Sequence, residues 1–162
     1  MCYSKKLTYL YFVLFAFNYV AFGQSTEMHI HLGKANLALS GYDVVAYFHH
    51  TAVKGNTKFE AMHHEGKYRF SSLNNKLLFE KNPKKYLPQY GGWCAYAMGY
   101  SGEKVPIDPE SYTIENGKLY LFYKSFFNDT KAKWIKNTSD LKEKADANWN
   151  TLLINQNHEN KN

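Results

Sequence analysis

The fold is decided by residues 111–123, which read Ser111-Tyr-Thr-Ile-Glu-Asn-Gly-Lys-Leu-Tyr-Leu-Phe-Tyr123. Asn116-Gly117 is a preferred dipeptide of two-residue hairpin turns, because both central residues of such a turn take positive φ angles. The flanking residues are rich in β-branched and aromatic side chains, which favour extended strands. We therefore predict a hairpin with strands at 111–115 and 118–123. The second strand carries aromatic residues on both faces, which indicates burial on both sides.

A second hairpin is predicted upstream, with strands at 59–63 and 67–71 around the turn His64-Glu65-Gly66. Helical segments surround the two hairpins. They are a short helix at 44–48 after Ser40 or Asp43, a helix after Ser72 that stops at Asn82-Pro83, a buried helix at 93–100, and helices at 125–134 and 140–153. Hairpins with helices grouped around them predict an α+β fold, a small antiparallel sheet with several short helices packed on it.

The two ends of the chain differ from its middle. Residues 1–23 combine Lys5 and Lys6, an apolar stretch, and small residues before Gln24, which is typical of a secretory signal peptide. We therefore expect an extracytoplasmic protein, periplasmic or secreted, with no membrane span after cleavage. Residues 24–36 are predicted to be a flexible lead-in, 37–154 the domain, and 155–162 a disordered tail.

Charge and cysteine content narrow the function classes. The chain has 20 basic and 14 acidic residues, a formal net charge of +6. Most lysines alternate with Asn, Glu and Asp, which indicates a solvated surface, so no nucleic-acid partner is expected. Because Cys2 lies in the predicted leader, Cys94 is the single cysteine of the mature chain, and no intramolecular disulfide can form.

Ordered segments from about residue 40 to 153 carry a resemblance to a known family. The main segments are 41–48 (GYDVVAYF), 66–72 (GKYRFSS), 88–95 (PQYGGWCA), 117–121 (GKLYL) and 145–149 (ADANW). They resemble the YHS domain family, and within it the exported single-domain branch. In versions associated with copper-transporting ATPases, the resemblance implies metal-binding cysteines at the end of the second strand and in the following helix. The matching residues here are Ser71 and Asn75.

A metal site would have to use other residues. Cys94 and Met98 stand four apart on a predicted helix, so both sulfur atoms project from one face. Thiolate and thioether ligands suit Cu(I), and His63 is a candidate third ligand. The expected cofactor on this hypothesis is copper or another transition-metal ion. Core packing of both sulfur residues is the competing interpretation.

Two further hypotheses concern Cys94. As the nucleophile of a cysteine-dependent enzyme, it would need partial exposure and a histidine partner, with Gly91-Gly92 N–H groups near a developing oxyanion. As an inert buried residue, it would belong to a structural or protein-interaction module.

A last hypothesis is a pocket for a small apolar or aromatic ligand. Its predicted residues are Tyr90, Gly91, Gly92, Trp93 and Asp43. Tyrosines are dense in the matching segments, and their apolar rings with polar tips suit either a cleft or a core. Asp43 is also interpreted as a helix cap or buried hydrogen-bond hub. We thus expect an exported YHS domain protein without an assigned enzymatic activity, which binds a transition metal or a small ligand.

Overall fold

Both predicted hairpins are present in the structure, a computed structural model that describes residues 29–159. The leader predicted at 1–23 lies outside the described residues. The strands are β1 (Asn56–His63), β2 (Gly66–Phe70), β3 (Asp108–Glu115) and β4 (Lys118–Phe122). The helices are α1 (Leu73–Lys81), α2 (Pro83–Tyr86), α3 (Ala95–Tyr100), α4 (Thr130–Lys136) and α5 (Thr138–Glu159). The α+β prediction is confirmed, with two separate two-stranded antiparallel sheets.

The turn between β3 and β4 has the geometry that its sequence predicts. Asn116 and Gly117 take φ angles of 50° and 70°, as a two-residue turn of this kind requires. Beyond the turn, Tyr120 pairs with Thr113 and Leu119 with Ile114. The register then shifts toward Asp108, where a bulge or irregularity interrupts the ladder.

Strand β4 is buried on both faces and divides the core. Leu119 and Leu121 belong to a first apolar cluster with β2, α1 and the 44–47 segment. Tyr120 and Phe122 belong to a second cluster with α3, α4 and α5. Alternate side chains of a strand point to opposite faces, so one strand serves both clusters.

The helices differ from their predictions in type, in start or in end. Helix α1 begins as predicted after Ser72, whose hydroxyl accepts a hydrogen bond from the Asn75 N–H. The helix predicted at 44–48 is a short 3₁₀ turn, Ala46–His49. The helix predicted from residue 125 starts at Thr130, because Asp129 caps it by accepting from the Ala132 N–H. Helix α5 continues to Glu159, beyond the predicted end at residue 153.

Residues 29–36, predicted to be flexible, are paired with the domain. The His31 N–H donates to the Gly91 carbonyl at 2.8 Å, and the Trp93 indole donates to the His29 carbonyl at 2.6 Å. Ala38 N–H then donates to the Lys67 carbonyl. The backbone of this N-terminal strap, residues 29–38, therefore joins β2 to the loop before α3.

No helix within residues 29–159 combines the length and apolar character that a membrane span needs.

Candidate ligand-binding site

Asp43 is a buried hydrogen-bond hub, which is one of the two structural roles predicted for it. Its side chain is fully buried. Oδ2 accepts three hydrogen bonds of 2.7 Å, from the Ser71 N–H, the Ser71 hydroxyl and the Asn75 amide. Oδ1 accepts from the N–H groups of Val45 and Ala46. Both oxygens are used inside the protein, so the carboxylate is not presented to a ligand.

Ser71 and Asn75 occupy the two positions at which the family resemblance implies cysteines. Here both side chains donate to Asp43 Oδ2, and the Asn75 amide also lies 3.3 Å from the Ser71 hydroxyl. In this chain, the end of β2 and the start of α1 are thus joined by a carboxylate–hydroxyl–amide network without a soft metal ligand.

Cys94 is fully buried at the start of α3. Its Sγ accepts a hydrogen bond from the Tyr123 N–H at 3.3 Å and lies 3.4 Å from the Thr130 hydroxyl. That hydroxyl donates its proton to the Tyr123 carbonyl at 2.6 Å. Since a hydroxyl has one proton to donate, the Cys94 thiol is the donor toward Thr130. The arrangement holds the sulfur atom inside the core.

Met98 and His63 pack in different places. Met98 is fully buried in the second cluster. The His63 ring lies beside His64 and Phe79, at 4.3 and 5.7 Å between ring centroids, next to the first cluster. Burial, and secondarily the charge of His64, lowers the pKa of His63.

The contacts of His63 differ from those of the other two predicted metal ligands, Cys94 and Met98. None of the contacts of His63 is shared with Cys94, and the sulfur of Cys94 is hydrogen-bonded within the protein. Within residues 29–159, no group of three or more His, Cys, Asp or Glu side chains could hold an ion. Cys94 also has no imidazole among its hydrogen-bond partners in this part of the chain, so the geometry for an activated nucleophile is not assembled.

A cleft of about 440 Å³ lies between the loop before α3 and one face of α5. Its walls contain Tyr90 and Gly91, two of the predicted ligand-binding residues. The complete lining is Ile30, Tyr68, Leu87, Pro88, Gln89, Tyr90, Gly91, Lys118, Asp146, Trp149 and Asn150. Gly92 and Trp93 do not line the cleft. The Trp93 ring instead packs on the His31 ring, with 4.3 Å between their centroids.

The loop that forms one wall has an unusual backbone. Tyr90, Gly91 and Gly92 take φ angles of 53°, 61° and 85°. Positive φ is uncommon for tyrosine and costs conformational energy. A Cβ on Gly91 would lie 2.5 Å from the His29 carbonyl oxygen, so the strap approaches too closely for any other residue. The backbone of the strap therefore packs directly against Gly91 in this wall of the cleft.

The lining of the cleft contains one acidic residue, Asp146, and one basic residue, Lys118. Oδ1 of Asp146 accepts from the Tyr90 hydroxyl at 2.8 Å, and its Oδ2 accepts from Lys142 Nζ at 2.5 Å. Burial opposes ionisation of Asp146, but the hydrogen bonds from Lys142 and Tyr90 lower its pKa overall. Burial, followed by the bond to Asp146, raises the pKa of the Tyr90 hydroxyl. The carboxylate is ionised and its side chain is 46% exposed, so it can meet a ligand.

Asp146, Trp149 and Asn150 were not predicted as site residues. They stand at positions i, i+3 and i+4 of α5, so they share one helix face. A carboxylate, an indole and an amide on one helix face are the sequence signal that could have identified them.

No family model matches the chain, and neither the curated proteins nor the solved structures that were searched include a match.

Proposed function

We propose that this protein binds a small organic molecule in the cleft formed by Tyr90, Gly91 and α5, as an exported member of the YHS domain family. The ligand has an apolar or aromatic body and a hydrogen-bond donor, such as an amine, that reaches Asp146. Binding takes place in the periplasm or outside the cell. The proposal includes no chemical transformation of the ligand.

The size and lining of the cleft support this function. A volume of about 440 Å³ lies within the range of small-molecule sites, roughly 300–1,000 Å³. Tyr68, Tyr90 and Trp149 supply aromatic surface, and the Tyr90 and Trp149 rings lie 6.3 Å apart at their centroids. Gln89, Lys118, Asp146 and Asn150 accompany them, and polar groups placed among aromatic ones can orient a ligand by directed contacts.

The ionised carboxylate of Asp146 is the observation that carries the proposal. Tyr90 and Lys142 each occupy one of its oxygens. A carboxylate oxygen can accept more than one hydrogen bond, so each retains capacity for a ligand donor. Because partners inside the protein orient Asp146 in advance, a ligand loses little free energy in positioning it.

The experiment compares two probes of the same ring and opposite charge, phenethylamine and phenylacetate, by ligand-observed NMR. Phenethylamine is expected to bind more tightly, because its ammonium meets Asp146. Asp146→Asn should reduce the preference for the amine. Asn150→Trp should reduce binding of both probes, because the indole would fill the cleft from an exposed position in its lining.

Thr151→Trp is the matched control. Thr151 is also exposed on α5 but does not line the cleft. This variant should bind both probes as the unmodified protein does. Equal binding by the Asn150→Trp and Thr151→Trp variants would place the probes elsewhere and refute the cleft as the binding site.

A further inference from the structure

Phe126 and Phe127 form an aromatic pair at the tip of the loop between β4 and α4. Their side chains are 94% and 93% exposed, more than any other large apolar residue in the described part of the chain. The rings contact each other edge to face, at 4.8 Å between centroids. The Ser125 N–H donates to the Asn128 carbonyl at 2.9 Å and closes the turn beneath them. The pair is thus presented outward by an ordered turn.

Lysines are frequent in the segment that contains the pair. Residues 124–136 contain the lysines Lys124, Lys131, Lys133 and Lys136. The acid within this stretch, Asp129, accepts from the Ala132 N–H as the cap of α4. The nearby acid Glu110 accepts from the Tyr42 hydroxyl. The segment therefore carries an excess of positive charge beside exposed aromatic rings.

Lys124 and Lys131 lie close to the base of the turn. They line one shallow depression together with Glu110, Asp129 and Ile135. Ile135 is 60% exposed and adds apolar surface beside the two ammonium groups. Long lysine side chains can keep their charge at the level of lipid headgroups while neighbouring apolar groups lie deeper.

We propose that the Phe126-Phe127 turn inserts into the interface of an anionic lipid bilayer and attaches the folded domain peripherally to a membrane surface. The chemistry is that of interfacial anchors, in which buried apolar area and attraction to anionic lipid act together. The assignment does not depend on the cleft or on its ligand.

A bilayer fits this surface better than a protein partner does. A stable protein interface buries about 800 Å² on each side around an apolar centre. Two aromatic side chains bury at most roughly 150–250 Å² each, and the same segment adds lysines and a single further exposed apolar residue, Ile135. A fluid lipid surface needs no complementary pocket, and it accepts a small protruding anchor with cations at its base.

The test measures sedimentation of the protein with vesicles of phosphatidylcholine, with and without phosphatidylglycerol. The protein is purified after export, and the N-terminus of every variant is verified by mass spectrometry, so all variants carry the same leader state. Binding is expected to require phosphatidylglycerol and to fall as salt is raised. The double variant Phe126→Ser/Phe127→Ser should bind at least about a hundredfold more weakly, because two exposed phenyl groups no longer enter the interface.

Two further variants give the proposal its controls. Leu73→Ser/Leu77→Ser removes apolar side chains that are 54% and 55% exposed on α1, and it should leave vesicle binding unchanged. Lys124→Gln should weaken binding to the anionic vesicles about fivefold.

Three results would overturn the proposal. The first is equal binding by the unmodified protein and the phenylalanine double variant. The second is an equal loss of vesicle binding in the leucine control, which would indicate nonspecific hydrophobic adsorption. The third is self-association that depends on Phe126 and Phe127 without any vesicle binding, which would assign the turn to a second copy of this chain.

Discussion

Asp43 concentrates five hydrogen bonds on one buried carboxylate, and they come from three separate parts of the chain. Val45 and Ala46 follow it closely, whereas Ser71 ends the first hairpin and Asn75 lies in α1. Leaving the buried carboxylate without these donors would lower the stability of the folded protein, and so would leaving the donors without the carboxylate. This residue therefore joins the 44–49 turn, β2 and α1.

Replacing Asp43 with alanine should destabilise the protein by about 3–5 kcal/mol, because two buried N–H groups and the partly buried donors of Ser71 and Asn75 lose their acceptor at once. Urea unfolding monitored by circular dichroism measures the change. Asp129→Ala is the control, since Asp129 caps α4 at the surface and should cost only about 1 kcal/mol. Equal losses in the two variants would contradict the role of Asp43 as a hub.

Two histidines, His31 and His63, should make the stability of the protein depend on pH. Burial lowers the pKa of His31 despite an opposing backbone hydrogen bond at Gly92, and burial with the charge of His64 lowers that of His63. Below the ordinary value of 6.5, the unfolded chain binds protons that the folded protein does not. Stability should therefore fall as the pH decreases from 6.5 toward the lowered pKa values.

The His31→Gln/His63→Gln variant should show a flatter stability profile between neutral pH and the onset of carboxylate protonation. The measurement is urea unfolding repeated across this range. His49→Gln/His50→Gln, at exposed positions, should keep the slope of the unmodified protein. A slope that survives unchanged in the His31/His63 variant would rule out these residues as its source.

At the scale of elements, α3 and α5 approach so closely that a glycine is required between them. A Cβ on Gly99 would lie 2.3 Å from the Leu141 carbonyl oxygen. A Cβ on Gly117, in the turn of the second hairpin, would meet no atom within 4 Å, but Gly117 has a φ of 70°. The first glycine serves packing between helices, and the second serves backbone conformation.

The two glycine-to-alanine variants should therefore differ. Gly99→Ala should cost about 2–3 kcal/mol, because α5 must shift or the helices must separate. Gly117→Ala should cost about 1 kcal/mol, since only the backbone is strained. Thermal unfolding of both variants measures the difference, and a larger loss at Gly117 would contradict this interpretation.

Local sequence predicts elements whose causes are local. The hairpin of β3 and β4 follows from Asn116-Gly117, and the start of α1 follows from the Ser72 cap. The strap could not be predicted in this way, because its hydrogen bonds join it to residues that are distant in the sequence, Lys67, Gly91 and Trp93. Residue 125 could not be recognised as part of a turn, because the segment up to Trp134 also has a helical pattern.

At the scale of the whole molecule, the strap links regions that are distant in sequence. It contacts β2 through Ala38, the cleft wall through His31, and α5 through His29, whose ring nitrogen lies 3.3 Å from the Leu152 carbonyl. Distance in sequence also explains why only two of the eleven residues that line the cleft were predicted. Tyr90 and Gly91 stand in a conspicuous run, whereas Asp146 reaches Tyr90 across 56 residues.

A chain that starts at Gly33 should be less stable by about 2 kcal/mol, because the hydrogen bonds to Gly91 and Trp93 and the packing of His31 are lost. It should also bind phenethylamine more weakly, because the wall at Gly91 loses its support. Differential scanning calorimetry and ligand-observed NMR measure the two effects. A chain that starts at Gln24 is the control, and an unchanged melting temperature on shortening it to Gly33 would refute the role of the strap.

Because Cys94 is buried, the reactivity of its thiol reports how often the surrounding core opens to solvent. A fully buried thiol reacts with a disulfide reagent such as DTNB only when the structure around it opens, because the attacking species is the solvated thiolate. Once the predicted leader is removed, no other cysteine competes for the reagent. Labelling should be slow in native buffer and should accelerate with denaturant in parallel with unfolding. One unmodified side chain would then give the opening rate of the core around α3, β4 and α4 without any engineered probe.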